Sequence, residues 1–379
     1  MERSEETAVK PGEEYAKAGV NYKLIQPFKE LLKETGRQTH KFPNRRDVFI
    51  LDDNETYQYR GNLPHAWKSV QEGLGNKDWV AEWMSQFDTE GIGESNFFNI
   101  AIDLAMMGAN DILARGALPV IYHNEVAPRA SEWYQNKKRN KDYANGTFRA
   151  CYLCGMALVG GESPAYKYLV RAEPPVKDAP VMSCTVIGII APESRRITGE
   201  KLQPGDIIIG AASSGLHSNG VSLVLERGLE LTHKLHTKLP DGKTLGEHIL
   251  IPTRCYVRLM EALLAAGVDI HAFQPITGDG VAKIAFDKRP YTYRIKNWPT
   301  RIPLIFQFME KLGVSPEGIL KTFNYGIGAC LFVPPHEVDR ALYYGRDAGY
   351  GMFELGIVEE GERQVIFEPR NITLSPPGE

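Results

Sequence analysis

Residues Gly205 to Leu223 read GDIIIGAASSGLHSNGVSL. Asp206-Ile207-Ile208-Ile209 predicts a short strand, because consecutive β-branched residues suit a pleated, buried surface. Gly210, Ser213, Ser214, Gly215, His217, Ser218, Asn219 and Gly220 then bring small and polar groups into one turn. Apolar residues resume at Val221, Leu223, Val224 and Leu225 with helical spacing. A strand that passes through a Gly/Ser loop into a helix start is an anion-binding geometry, since unpaired N–H groups point outward at the positive end of the helix dipole. Glycines let the backbone approach a phosphate, and the hydroxyls, the Asn219 amide and the His217 imidazole add donors. An ordinary βα turn shares this outline, and the density of donors favours the anion site over it.

The rest of the chain frames that loop. Its 379 residues are 43% hydrophobic and 24% charged, which suits a globular protein with core enough for two domains. The net charge of −3 gives no electrostatic case for nucleic acid or an anionic membrane, so a phosphate ligand must be held by local donors. No apolar run reaches the roughly eighteen residues of a membrane span. The start, MERSEETAVKPGEEYAK, is charged and lacks the apolar core of a signal peptide, so a cytoplasmic location is expected. Cys151, Cys154, Cys184, Cys255 and Cys330 sit mostly in apolar segments, as reduced thiols do. Cys151 and Cys154 form a C-x-x-C without a second pair or a nearby histidine, which predicts buried packing rather than a zinc or redox site.

Alternating helical and strand periods predict an α/β (α+β) protein of two layered domains, residues 1–193 and 194–379, divided at the polar turn Ala191–Gly199. Helices are expected around 24–35, 97–115, 133–140, 148–158, 256–266, 303–311 and 337–348. Strands are expected at 48–51, 120–122, 181–190, 329–333 and 364–367. Residues 52–88 are polar, aromatic-rich and show no clear period.

Two familiar phosphate motifs fail. Gly242-Lys243-Thr244 ends like a P-loop, but Thr237 stands where its first glycine belongs. Gly91-Ile92-Gly93 begins like a dinucleotide fingerprint, but Asn96 replaces the third glycine. Acidic candidates remain. Asp88, Glu90 and Glu94 lie on a glycine-bearing loop before a helix, as dipole partners or as Mg²⁺ ligands beside a nucleotide. Asn110-Asp111 interrupts an apolar helix, as a hydrogen-bond node or a site. Glu162 follows Gly160-Gly161 at the end of an apolar run, where a carboxylate is poorly placed for the helix dipole and a ligand role is favoured.

Most of these segments, in order, resemble the phosphoribosylformylglycinamidine cyclo-ligase (aminoimidazole ribonucleotide synthetase) family. Ser213–Leu223 resembles its Ser-Ser-Gly-x-His-Ser-Asn-Gly-x-Ser-Leu. Tyr15–Val20 resembles its Tyr-Lys-x-Ala-Gly-Val, and Thr89–Ser95 stands for its Thr-Asp-Gly-Val-Gly-Thr-Lys. Asn110-Asp111, Gly116-Ala117-Leu118-Pro119, Leu158–Ser163, Pro252-Thr253-Arg254, Ile276–Gly280 and Thr322–Gly328 continue the series. In this register the chain departs from the pattern at Ala16, Glu90, Ser95, Pro164–Tyr166 and Asp279. Ser95 and Ala16 each replace a lysine.

The resemblance implies a homodimer that pairs its N-terminal sheets, with ATP and Mg²⁺ as cofactors. It implies the conversion of formylglycinamidine ribonucleotide to aminoimidazole ribonucleotide. By that resemblance Glu90, Asp111 and Glu162, with Asp88 as substitute, hold Mg²⁺. Gly91, Gly93, Asn110 and Gly161 border the nucleotide. Ser213, Ser214, Gly215, Ser218, Asn219, Thr277 and Asn324 bind substrate, and His217 with Asp111 serves the chemistry. A non-catalytic or altered-substrate paralogue is the alternative, as is a nucleotide site moved into residues 52–88.

Overall fold

The computed structural model describes residues 20–86 and 95–378. The N-terminal half opens with helix α1 (Tyr22–Thr39), whose Asn21 side chain caps the Lys23 N–H. The hairpin β1 (Val48–Ile50) and β2 (Tyr57–Tyr59) follows. A four-stranded sheet comes next, built from β3 (Ala66–Gly73), β4 (Leu118–Ala127), β5 (Ala157–Glu162) and β6 (Val181–Ile190) in the order β3-β6-β4-β5. Only β4 and β5 run parallel. Helices α2 (Lys77–Ser85), α3 (Phe97–Asp111) and α4 (Lys137–Cys154) complete this half.

The helices cover one sheet face, against which Met182, Cys184 and Val186 of β6 are buried. α3 and α4 cross closely at Gly146, where any side chain would meet the backbone of Phe98. The stretch Phe97–Arg115 has mean hydropathy 1.3 and the length to cross a bilayer, contrary to the sequence expectation, yet 72% of it is buried by the protein itself. It is a core helix.

The C-terminal half contains strands β7 (Ile207–Ala212), β8 (Ala272–Pro275), β9 (Tyr291–Ile295), β10 (Ile327–Val333), β11 (Met352–Glu360), β12 (Gln364–Phe367) and β13 (Ile372–Leu374). They form a seven-stranded sheet ordered β13-β12-β9-β11-β7-β10-β8. β11 lies at the centre with β9 and β7 beside it, and β10, between β7 and the edge strand β8, is buried along its whole length. Helices α5 (Val221–Leu229), α6 (Leu245–Ile249), α7 (Val257–Ala265), α8 (Leu304–Lys311), α9 (Pro316–Thr322) and α10 (Val338–Asp347) pack around it.

The structure changes the sequence expectation most at 52–88, which holds β2, β3 and α2. In β3 the exposed residues Trp67, Ser69 and Gln71 alternate with half-buried Lys68, Val70 and Glu72. Polar residues on both faces hide the strand period. The two helices expected at 133–140 and 148–158 are one helix, α4, followed by strand β5. Glycines at 160 and 161 make β5 read as a helix end, yet they are sheet residues. Any side chain at Gly161 would meet Asn124 of β4. Gly161 is therefore demanded by strand packing.

Candidate functional site

The loop that follows β7 forms as its composition dictates. Gly215 and Gly220 have positive φ, 154° and 80°, and His217 itself has φ 61°. A non-glycine residue in that region needs support from its surroundings, and the loop supplies it. Asn324 accepts from Ser213 Oγ (2.9 Å) and from the Gly326 N–H (2.9 Å), and its amide donates to the carbonyls of Gly215 (2.8 Å) and Leu216 (3.1 Å). Ser214 Oγ donates to the Pro252 carbonyl at 2.6 Å. Ser213, Ser214 and Asn324 thus hold the shape of the loop with their own side chains.

His217 is 5% exposed. Its Nε2 faces the N–H groups of Ser214 (3.3 Å) and Arg254 (3.5 Å), which makes that nitrogen the acceptor. Burial, with Lys77 and Arg254 adding positive charge, pushes the imidazole down to about 3, so it is neutral near pH 7. The expected proton or charge partner is therefore a neutral hub of the loop. Because the folded pKa lies below the unfolded one, its contribution is complete above about pH 6.5 and fades as pH falls toward 3. His217→Ala should cost about 2–4 kcal/mol in denaturant unfolding at pH 7, by opening a cavity and orphaning two N–H groups. An unchanged unfolding midpoint would reject the hub role.

Beneath the loop lies a fully buried ion pair. Lys77, the first residue of α2, places Nζ 2.8 Å from Asp103 Oδ2 of α3. The same Nζ donates to the carbonyls of His217 (3.0 Å) and Ile251 (2.8 Å). Asp103 Oδ1 accepts from the Thr253 N–H (2.7 Å), the Thr253 hydroxyl (2.6 Å) and, more distantly, Ser218 Oγ (3.5 Å). Asn110 adds a second clasp, donating to the Arg254 carbonyl (2.8 Å) and accepting from the Tyr256 N–H (2.9 Å). Its amide thus joins the two halves at the edge of the cavity beside Asp111.

Lys77 ends the segment Gln71-Glu72-Gly73-Leu74-Gly75-Asn76-Lys77. That segment also resembles the Thr-Asp-Gly-Val-Gly-Thr-Lys pattern, keeping both glycines and, unlike Thr89–Ser95, the lysine, and it runs from the end of strand β3 into α2. Ser95 Oγ donates to Asp142 Oδ2 of α4 at 2.7 Å. The expected ligands Asp88, Glu90, Gly91 and Gly93 lie outside the described residues. The signal that could have found this second match was the terminal lysine. The preceding strand was concealed by its polar residues.

Glu72, on β3, and Asp111, ending α3, face each other across this seam. Burial first, and the charge of Asp111 second, push the Glu72 carboxyl above its usual range, while Lys283 draws it back. Lys283 Nζ donates to Thr277 Oγ1 in the Gly-rich turn after β8. Asp279 of that turn sits at φ 64°, a conformation glycine or aspartate tolerates. Asp111, Asn219, Ser218 and Thr277 line one small cavity of about 20 Å³. Glu162 does not join them. It stands on β5, at the opposite edge of the sheet from β3 and so about 14 Å across three strand spacings. Its neighbour there is Lys29 of α1, at 4.0 Å. Among the described residues no three His, Cys, Asp or Glu side chains form a metal cluster.

Gly73, Gly75 and Asn76 border a groove of about 700 Å³, which Asp78, Trp79, Met182, Ser222 and Leu225 also line. A side chain at Gly75 would meet nothing within 4 Å, so the loop's backbone faces open space. The carboxyl of Asp78 is pushed up to about 8 by burial. Its folded pKa lies above the unfolded value, so stability should decline as pH rises from about 4 to 8. Asp78→Asn should flatten that decline in urea unfolding measured between pH 5 and 8; an identical slope would show the carboxyl to be solvated.

A four-stranded and a seven-stranded sheet clasped over a strand-end glycine loop define the AIR synthase-related class of proteins. The chain matches "AIR synthase related protein, N-terminal domain" over residues 80–190 and "AIR synthase related protein, C-terminal domain" over residues 203–368. It is 33% identical over 369 residues to the phosphoribosylformylglycinamidine cyclo-ligase of Rippkaea orientalis, covering 94% of this chain and 99% of that one. The enzyme of the same name from Pyrococcus horikoshii is 29% identical, covering 95% and 99%. The chain belongs to the phosphoribosylformylglycinamidine cyclo-ligase family. Solved structures share the fold at lower identity. Thiamine-monophosphate kinase from Stenotrophomonas maltophilia superposes with TM-score 0.59 at 16% identity, over 88% of this chain and 95% of that one. Hydrogenase maturation protein HypE in complex with ATP gives 0.55 at 18%, over 89% and 92%.

Proposed function

We propose that the protein is an ATP-dependent ligase of purine biosynthesis that closes formylglycinamidine ribonucleotide to aminoimidazole ribonucleotide. The observation that carries this reading is the contact of the Gly73–Lys77 segment with the Ser213–Ser222 segment, the Asn76 amide donating to Ser222 Oγ and Lys77 to the His217 carbonyl, near Glu72, Asp111 and Lys283. Family membership supplies the reaction, and this seam supplies residues that fit it.

The fit to Mg²⁺–ATP rests on charge and space. Burial and the charge of Asp111 disfavour the Glu72 carboxylate, which a cation beside it would relieve, and Mg²⁺ beside phosphates takes one or two carboxylates with waters. Glu72 and Asp111 are the pair that would hold it. The open backbone at Gly73–Gly75 admits phosphate oxygens closely, and Lys283 offsets their charge. ATP supplies the phosphoryl group that turns the formyl amide oxygen into a leaving group.

The chain's task is then to orient the amidine nitrogen against the formyl carbon and to exclude water. Asn219 and Thr277 reach the cavity beside Asp111. Ser213, Ser214, His217 and Asn324 keep the loop rigid. Lys77 ties the Gly73–Asn76 loop to the Ser213–Gly220 loop through the His217 carbonyl. The homodimer is proposed to form through the sheet face opposite the helices, where Trp67 is 41% and Val181 52% exposed.

The deciding assay incubates the purified protein with Mg²⁺–ATP and formylglycinamidine ribonucleotide. ADP release that depends on that substrate, with aminoimidazole ribonucleotide formed, supports the reading. ADP release without it, or none at all, overturns it.

A further inference from the structure

Cys154 closes α4 in the N-terminal half, while Cys255 lies in the Pro252–Tyr256 segment of the C-terminal half. Their Sγ atoms are 3.7 Å apart. Both are free thiols, Cys154 buried and Cys255 partly exposed. Cys151 and Cys154 are both buried free thiols, as the C-x-x-C reading expected, and the thiol next to Cys154 comes from a residue about a hundred positions on. Around the pair, Arg46 donates to the Gly155 carbonyl (3.0 Å) and pairs with Glu261 of α7 (2.5 Å), and Met106 Sδ lies 4.0 Å from Cys154 Sγ.

We propose that Cys154 and Cys255 are a modification site, a dithiol that a hydroperoxide oxidises to a disulfide joining the two halves of the chain. The two thiols differ in the way such a reaction needs. The hydrogen bond from Cys154 holds the Cys255 thiol below its usual value, with Arg46 contributing, whereas burial pushes the Cys154 thiol well above its own. The partly exposed Cys255 thiolate attacks one peroxide oxygen, the O–O bond breaks, and hydroxide leaves to take up a proton as water. The resulting sulfenic sulfur is attacked by Cys154, which gives up its proton as the S–OH oxygen departs as a second water. Two thiols lose two electrons, and one hydrogen peroxide becomes two waters.

An S–S bond of about 2.05 Å requires the sulfurs to close by roughly 1.7 Å from their present separation. Cys154 ends a long helix packed on α3, and its carbonyl accepts from Arg45 (3.2 Å). The displacement therefore falls on Pro252–Tyr256. That segment also carries Thr253, bound to Asp103, and Arg254, bound to Asn110. Oxidation should pull on the clasp and slow turnover.

The full-length protein is to be treated with hydrogen peroxide, alkylated, digested and mapped by mass spectrometry. A linked Cys154–Cys255 peptide is expected, together with a several-fold fall in substrate-dependent ADP release that dithiothreitol reverses. Cys255→Ser should keep its activity through the same treatment. Two results would overturn the proposal: both thiols alkylated after peroxide, or a different pairing such as Cys151 with Cys154. Equal peroxide loss in Cys255→Ser would also overturn it. The peptide map of the wild-type chain decides the pairing even if that variant folds poorly, and it reads the site whatever substrate the enzyme takes.

Discussion

Lys77→Ala is expected to lower the unfolding free energy by about 3–5 kcal/mol, the cost of stranding one member of a buried ion pair. Lys77 Nζ and the Asp103 carboxyl are both fully buried, and the lysine's remaining donors reach the carbonyls of His217 and Ile251. Burial already pushes Asp103 up, and Lys77 is what holds it down. Without the lysine the Asp103 pKa rises further above its unfolded value. The deficit should therefore grow as pH climbs above about 4, because the unfolded state sheds that proton first. Guanidinium unfolding at pH 5 and pH 8 reads both the size and the trend. Replacing the pair together, Lys77→Met with Asp103→Leu, should restore much of the stability, since apolar groups of similar volume need no partner. Turnover should stay low in the double variant, whose Thr253 N–H and His217 carbonyl have lost their tie. A deficit below about 1 kcal/mol for Lys77→Ala, the range of a surface pair, would show that Lys77 is solvated.

Glu72→Gln and Asp111→Asn should each reduce kcat by about 10²–10³, the usual loss when one preorganised charge at a phosphoryl-transfer site is removed. Neither should unfold the protein. Burial and the charge of Asp111 disfavour the ionised Glu72 carboxyl, so removing either charge should relieve the native state. A higher Tm with turnover lost is the signature of a group kept for function at a cost in stability. The Mg²⁺ concentration needed for half-maximal rate should rise in any variant that retains measurable turnover. Glu72→Asp should recover part of the rate. Turnover within about threefold of wild type in Glu72→Gln would remove Glu72 from the site.

Much of the fold was legible because its elements carry strong periods. Strand β6 and the helix over Phe97–Asp111 follow directly from β-branched runs and an apolar face repeating along the chain. β3 was not legible, since lysine, serine, glutamine and glutamate dilute its alternation on both faces. With the strand unseen, Glu72–Lys77 had no structural context in the sequence.

The site divides in the same manner. The Gly/Ser loop could be found from sequence because glycine and small hydroxyl residues encode their backbone demands locally. The partners of its side chains could not, because each hydrogen bond spans tens to more than a hundred residues.

The sequence by itself determined the family, the two α/β halves and the glycine- and serine-rich turn at Gly210–Gly220. All of these rest on local chemistry and on motif order. Only the tertiary structure decided which groups meet. It set the buried His217 imidazole against the Ser214 and Arg254 N–H groups and joined Asn110 to Arg254 and Tyr256. It set Glu162 on the far edge of the sheet, and it set Glu72 against Asp111. The reason is physical: burial and proximity fix protonation and hydrogen bonding, and both arise between segments that the chain keeps far apart until it folds.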